Sequence, residues 1–132
     1  MVEDNPDEAI LIKRCLRRAP CSIGVTHVES GDACMELLRG QAEERPDLIL
    51  LDLNMPGMDG RDTLAALAAD SALASIPVIV FTTSNHRADV ARCYELGCNA
   101  YVVKPVGLDK MQAAVDLVVS FWLGLNELPP RG

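Results

Sequence analysis

The sequence predicts a doubly wound α/β domain, a five-stranded parallel sheet with helices on both faces. Three observations carry that expectation. Five short apolar or β-branched stretches alternate with stretches of helical spacing along the 132 residues. The run Leu48-Ile49-Leu50-Leu51 is apolar throughout, as a strand buried on both faces requires, and Pro56, Gly57 and Gly60 stop it quickly. Four of the five strands end on polar or charged side chains, which such a fold gathers along the carboxyl edge of its sheet, where sites form.

Taken in order, Met1-Val2 leads into the adjacent carboxylates Glu3 and Asp4. Asn5 or Asp4 can cap a helix that begins near Pro6 and runs to about Arg18, with Leu11/Cys15 and Ile12/Leu16 at four-residue spacing. Pro20 ends it. Ile23 to Val28 is β-rich and reads as the second strand, and Ser30 caps a short helix carrying Cys34, Leu37 and Leu38 up to Gly40. The central strand ends on Asp52. A helix from about Arg61 to Ala69 follows, with Leu64, Leu67 and Ala68 as its inner face. Pro77 to Ser84 is another buried strand, a helix from about Arg87 to Leu96 stops at Gly97, and Ala100 to Pro105 is the last strand. A final helix from about Leu108 to Leu125 precedes the tail, giving one domain over 1–125 and a tail over 126–132.

Composition narrows the function. Hydrophobic residues are 49% and charged residues 23%, as in an ordinary globule, and one domain of this length leaves no room for an added output domain. A net charge of −7 argues against a sequence-independent grip on nucleic acid. No apolar run approaches the roughly 20 residues of a membrane span, and no signal peptide pattern is present. Cys15, Cys21, Cys34, Cys93 and Cys98 are odd in number and lack metal spacing, which fits free thiols in a reducing cytosol.

The strand ends hold the chemistry. Glu3, Asp4 and Asp52, with the backbone carbonyl beyond Asp52, make a hard-oxygen set suited to Mg²⁺. Lys104 and Thr82 supply a cation and a hydroxyl donor for charge on a phosphoryl group. Together these parts suit phosphoryl transfer to Asp52, a carboxylate nucleophile. As a mere helix cap Asp52 fits poorly, because a Pro/Gly loop follows it. His27 and His86 neighbour no nucleophile pattern and are not read as phosphodonors.

Glu3-Asp4, Leu51-Asp52-Leu53-Asn54-Met55-Pro56, Thr82-Thr83 and Lys104-Pro105 resemble the signature of two-component response-regulator receiver domains. The likeness runs to about Leu125, and the intervals of 30 residues from Asp52 to Thr82 and 52 from Asp52 to Lys104 match that family's usual spacing. The resemblance implies a flavodoxin-like fold with strand order 2-1-3-4-5. It implies that Asp52 accepts phosphate from a sensor kinase histidine. Mg²⁺ would be held by Glu3 (through water), Asp4, Asp52 and the Asn54 carbonyl. Thr82 and Lys104 would bind the phosphoryl oxygens, Thr83 would leave access to them, and Tyr101 would be the switch aromatic, although strand packing alone also accounts for a tyrosine there. Phe121-Trp122-Leu123 with Leu128-Pro129-Pro130 is similar to the stand-alone regulators paired with phytochromes. Receivers normally carry several apolar residues before the acidic pair, and here only Met1 and Val2 do so. A shortened first strand is therefore expected, from a mis-assigned start or a trimmed chain, with consequences for metal binding and stability.

Two other readings compete. An aspartate-nucleophile Mg²⁺ phosphatase of the haloacid dehalogenase kind also uses a strand-end Asp, but needs an acid two residues on, where this chain has Asn54. A flavodoxin-like electron carrier needs a Ser/Thr/Gly phosphate loop where this chain has Glu3-Asp4. Finally, the last helix carries two apolar stripes. Leu108, Met111, Val115, Val118 and Trp122 are expected to face the sheet, and Ala114, Leu117, Phe121 and Leu125 to form the seam of a homodimer unless the tail folds over them.

Overall fold

Helix α1 (Pro6–Arg17) begins where the sequence places its signals. The Asn5 side chain accepts the N–H groups of Asp7 and Glu8 at 3.0 and 3.1 Å, Pro6 fills the first turn, and Arg14 and Arg17 lie at the negative end of the helix dipole. The structure, a computed structural model, describes residues 1–40 and 45–130, so Arg131 and Gly132 of the expected tail lie outside the described residues. Ser30 caps α2 (Gly31–Gly40) through the Ala33 N–H. Strand β1 (Ile49–Leu51) leads through the Asp52 loop into α3 (Gly60–Ala69), which Asp59 and Asp62 close with a reciprocal capping box. Then come β2 (Val78–Thr82), α4 (Arg87–Glu95), β3 (Ala100–Val103) and α5 (Leu108–Val119). Gly97, at φ +101°, supplies the left-handed turn after α4. The last helix continues from Ser120 to Leu125 as a wider, π-helical stretch.

β1, β2 and β3 pair in parallel, with Ile49 opposite Val78 and Ile79 opposite Ala100. Val2 bridges Leu51 on one side and Val28 on the other, both in parallel. The order across the sheet is thus the Val28 segment, the Val2 segment, β1, β2, β3, which is the expected 2-1-3-4-5. The expectation of five full strands is corrected: among the described residues the first two members each contribute one bridging residue. The Val28 segment bonds only to what stands beside it. Val28 N–H donates to Met1 O, Glu3 N–H to Val28 O, and the Met1 ammonium to Thr26 O. The residues before Thr26 instead line a cavity of about 660 Å³ with Leu48, Leu50, Phe81 and Val119.

Strand alternation divides the core into two layers. Ile49, Leu51, Val78 and Val80 face the layer with Cys34, Met35, Leu64 and Leu67 from α2 and α3 and Cys93 from α4. Phe81, with Leu50 and Val102 beside it, faces α1 and α5 through Ile12, Cys15, Leu16, Met111, Val115 and Val119. Two inner faces differ from expectation. On α3, Thr63 is buried and Ala68 is exposed. On α5 the buried row is Met111, Val115 and Val119, at strict four-residue steps, as expected when the ridges of one helix seat against another. Leu108 is 41% exposed, while Val118 and Trp122 are only half-buried. Leu117, Phe121 and Leu125 are 73%, 47% and 77% exposed. The described part of the tail leaves Phe121 and Leu125 exposed; Leu128 lines the cavity beside Leu123 instead. All five cysteines are free, four of them buried and Cys21 half-buried. No helix among the described residues is long and apolar enough to cross a membrane.

Candidate functional site

Asp52 is the first residue past β1, its N–H bonded to Val2 O at 3.1 Å, and it is 7% exposed. The loop behind it is compact because Gly60 returns to donate to Leu53 O at 3.0 Å. A Cβ at Gly60 would collide with the Asp52 carbonyl oxygen and the Leu53 Cα, so only glycine lets the α3 terminus press against the aspartate. Glu3 follows Val2 and is buried, its carboxylate accepting the Asn5 N–H at 3.2 Å. Lys104 follows β3, tied by its own N–H to Thr82 O at 2.7 Å.

These residues converge on the Lys104 ammonium, whose side chain is 2% exposed. Nζ lies 2.5 Å from Glu3 Oε1, 2.8 Å from Glu8 Oε2 and 3.7 Å from Asp52 Oδ1. Glu8, in the first turn of α1, was missed by sequence reasoning. Its signal was available: it sits three residues past an Asn cap that directly follows the acidic pair. Burial pushes the Glu3 carboxyl up, to about 7, against the Lys104 hydrogen bond. Burial likewise raises Asp52, opposed by the Lys104 charge and by hydrogen bonds that include the Thr82 hydroxyl. At Lys104 burial works against the charge, but the bonds to Glu3 and Glu8 and the Asp52 charge outweigh it and leave the ammonium harder to deprotonate.

Asp4, Asn54 and Thr83 border the same cleft, which has a volume of about 510 Å³. Carboxylate oxygens of Glu3, Glu8 and Asp52 lie within 4.8 Å of one another, so the donor set is all hard oxygen and fits a divalent cation. Asp4, expected in that cluster, lines the cleft without belonging to the tight group, whose third member is Glu8.

A second network borders the site on the β2 and β3 side. Thr82 is fully buried, and its Oγ1 accepts the Ser84 N–H at 3.4 Å. Ser84 is a hub: its hydroxyl donates to Asp89 Oδ2 at 2.6 Å, and its carbonyl accepts the Tyr101 hydroxyl at 2.8 Å. Arg61 of α3 completes the chain with an ion pair to Asp89 at 2.6 Å. Ser84, Asp89 and Arg61 were not singled out by sequence reasoning, because nothing local marks residues that meet only through tertiary packing. His27 Nε2 lies 2.8 Å from Glu3 O, and His86 caps α4 by position alone; neither reaches the carboxylates as a donor of phosphate would.

The arrangement offers an attackable carboxylate, a buried cation beside it and an oxygen-lined place for a metal, which are the parts of a phosphoryl acceptor. Comparison with known proteins agrees. Residues 1–116 match the family model of the response regulator receiver domain. The response regulator Rcp1 of Synechocystis sp. is 38% identical over 133 residues, covering 98% of this chain and 90% of that protein. The crystal structure of the phosphorylated cyanobacterial phytochrome response regulator RcpA superposes with a TM-score of 0.91 at 38% identity, over 98% of this chain and 95% of that one. The crystal structure of the Mn²⁺-bound form of Rcp1 gives 0.89 at 36% identity, over 98% and 96%. The phosphatase and electron-carrier readings find no support in these matches. This chain is a member of the response regulator receiver domain family, a phosphoacceptor module of two-component signalling.

Proposed function

We propose that Asp52 is the phosphoacceptor and that a sensor histidine kinase, of the phytochrome kind, is the donor. The observation that carries this is the burial of Asp52 at a strand end with the Lys104 ammonium 3.7 Å away in an oxygen-lined cleft. An Asp52 oxygen attacks phosphorus as the bond from phosphorus to the kinase imidazole nitrogen breaks. The electron pair returns to the imidazole, and an acyl phosphate remains on Asp52. Lys104 and the Thr82 hydroxyl neutralise and orient the phosphoryl oxygens. Glu3 (through water), Asp4, Asp52 and the Asn54 carbonyl would hold the divalent cation, Mg²⁺ in the cell, which when bound offsets the repulsion between carboxylates and the incoming phosphoryl group. The likeness to a relative solved in a Mn²⁺-bound form supports a divalent cation at this site. The chain promotes only its own phosphorylation and dephosphorylation, in the cytosol, with the receiver spanning 1–125 and 126–132 as a tail.

Phosphate adds about −1.5 to −2 charges at Asp52. Thr82 turns towards it, Tyr101 moves into the space vacated, and the face of α4, β3 and α5 changes for a protein partner. The exposed Leu117, Phe121 and Leu125 form the seam of a homodimer. Phosphoramidate with Mg²⁺ should label the wild type and not Asp52→Asn, with unchanged circular dichroism. Labelling of that variant at full yield would remove Asp52 from the role. Beryllofluoride should shift the amide signals of residues 82–110, and Phe121→Ala with Leu125→Ala should convert dimer to monomer in sedimentation equilibrium.

A further inference from the structure

The sheet leaves a groove between two of its members. Val2 N–H donates to Leu50 O and Asp52 N–H to Val2 O. Parallel pairing alternates along a strand, so the Leu50 N–H and the Leu48 O also point away from β2, one rung below Val2. Across the gap, Val28 N–H donates to Met1 O and the Met1 ammonium to Thr26 O, so the Thr26 N–H and the Gly24 O continue that ladder. No bond among the described residues reaches these four groups. The space between them is the cavity of about 660 Å³, which Gly24, Thr26, Leu48 and Leu50 themselves line. Its wall on the α1–α5 side is apolar, formed by Leu16, Phe81, Val115, Val119 and Leu123.

We propose that this groove takes the extended carboxyl-terminal peptide of a partner protein, added as a strand parallel to β1. A strand is the shape that answers donors and acceptors alternating along both walls. The last N–H of the peptide donates to Leu48 O, and the residue before it exchanges bonds with Thr26 and Gly24. Met1 closes the far end, so the strand stops there. Its terminal carboxylate then meets the Leu50 N–H and the Met1 ammonium, a charge complement that selects a chain end over an internal segment. Val2 packs in the α2–α3 layer and Met1 in the α1–α5 layer. By the same alternation the penultimate residue of the peptide points at Leu16, Val119 and Leu123, and must be apolar. The tail of this chain does not suit the groove: Leu128 lines it, but Pro129 and Pro130 have no N–H to give. An occupant braces the Val2 segment, which carries Glu3 and accepts the Asp52 N–H, and its binding does not depend on phosphorylation.

The probe is the acetylated peptide Glu-Lys-Val-Ile-Leu-Val with a free carboxylate, added to the full chain and followed by amide signals and hydrogen exchange. The signals of residues 23–26 and 48–50 should shift, and the Leu50 and Thr26 N–H groups should exchange roughly tenfold more slowly. Amidating the peptide should weaken binding roughly tenfold, the scale of a charge-assisted hydrogen bond. N-methylation of its last residue removes the bond to Leu48 O and should abolish detectable binding. Joining Val-Ile-Leu-Val directly ahead of Met1 fills the groove from the same chain and should prevent the free peptide from binding. Unmoved wild-type signals at millimolar peptide would overturn the proposal. So would undiminished binding to the lengthened chain, or shifts confined to Leu117, Phe121 and Leu125, since either places the peptide elsewhere. Equal affinity for the acid and amide forms would overturn the choice of a chain end. Equal affinity for the N-methylated form would show apolar attraction without a strand, and the proposal would fall.

Discussion

Two charged networks flank Asp52, and they are built on opposite terms. The Lys104 network is dry: the lysine and Glu3 side chains are 2% and 1% exposed, and the pair joins the end of β3 to the segment after Val2. The Arg61–Asp89–Ser84 network is wet: Arg61 and Asp89 are 29% and 23% exposed and link α3 to α4 through a loop. In a dry site, separating opposite charges strands one of them away from water, so the pair stays fixed. In a wet site, water replaces a lost partner at little cost, so the pair can be exchanged. The contrast assigns them different duties. On the proposed mechanism, one side anchors the phosphoryl group and the other rearranges to report its arrival.

The largest expected effect breaks the dry side. Above pH 7, where Glu3 is ionised, Lys104→Met leaves it buried without a counter-ion and should cost about 3–5 kcal/mol in urea unfolding with chelator present. A loss below about 1 kcal/mol would show that the pair is no better anchored than a surface one. Its pH dependence sharpens the point. With the Glu3 carboxyl raised from 4.5 to about 7, the folded chain keeps a proton that the unfolded chain has already lost. Stability from this group is full below pH 4.5 and declines as pH rises towards 7. Urea midpoints measured from pH 4.5 to 7.5 in chelator should fall less steeply for Glu3→Gln than for the wild type.

Smaller effects belong to the wet side. Tyr101→Phe removes one hydrogen bond to the Ser84 carbonyl and should cost about 0.5–1.5 kcal/mol, while shifting the Ser84 amide signal. Arg61→Met should cost only about 0.2–1 kcal/mol, because its ion pair with Asp89 is solvated. If Arg61→Met destabilised as much as Lys104→Met, the distinction between the two sides would collapse.

The sequence made some of this legible and hid the rest for physical reasons. Uninterrupted apolar runs located the buried strands β1 and β2, and β-rich residues located the less buried β3. The β-rich stretch from Ile23 to Val28 misled, because propensity cannot say whether a neighbour stands alongside, and only Val28 bridges Val2. Asp52, Glu3 and Lys104 were readable as strand ends, and they do meet. Ser84 was not, since its importance arises from reach across the fold rather than from local pattern, and Glu8 was passed over although its place three residues after the Asn5 cap marked it. The last helix was half read: the exposed set was right in Leu117, Phe121 and Leu125, but the inner row steps by fours through Val119 rather than through Val118 and Trp122.

The bond from Lys104 N–H to Thr82 O, at 2.7 Å, makes the two residues proposed to bind the phosphoryl oxygens neighbours on a single rung of the sheet. Their backbones move together or not at all. A phosphate on Asp52 therefore has no strand to slide; what it can turn is the threonine side chain, which has three staggered settings about one bond. On the proposed mechanism the message leaves Asp52 as a torsion angle, and the slow part of the response is the rebuilding of the Ser84 bonds around its new setting.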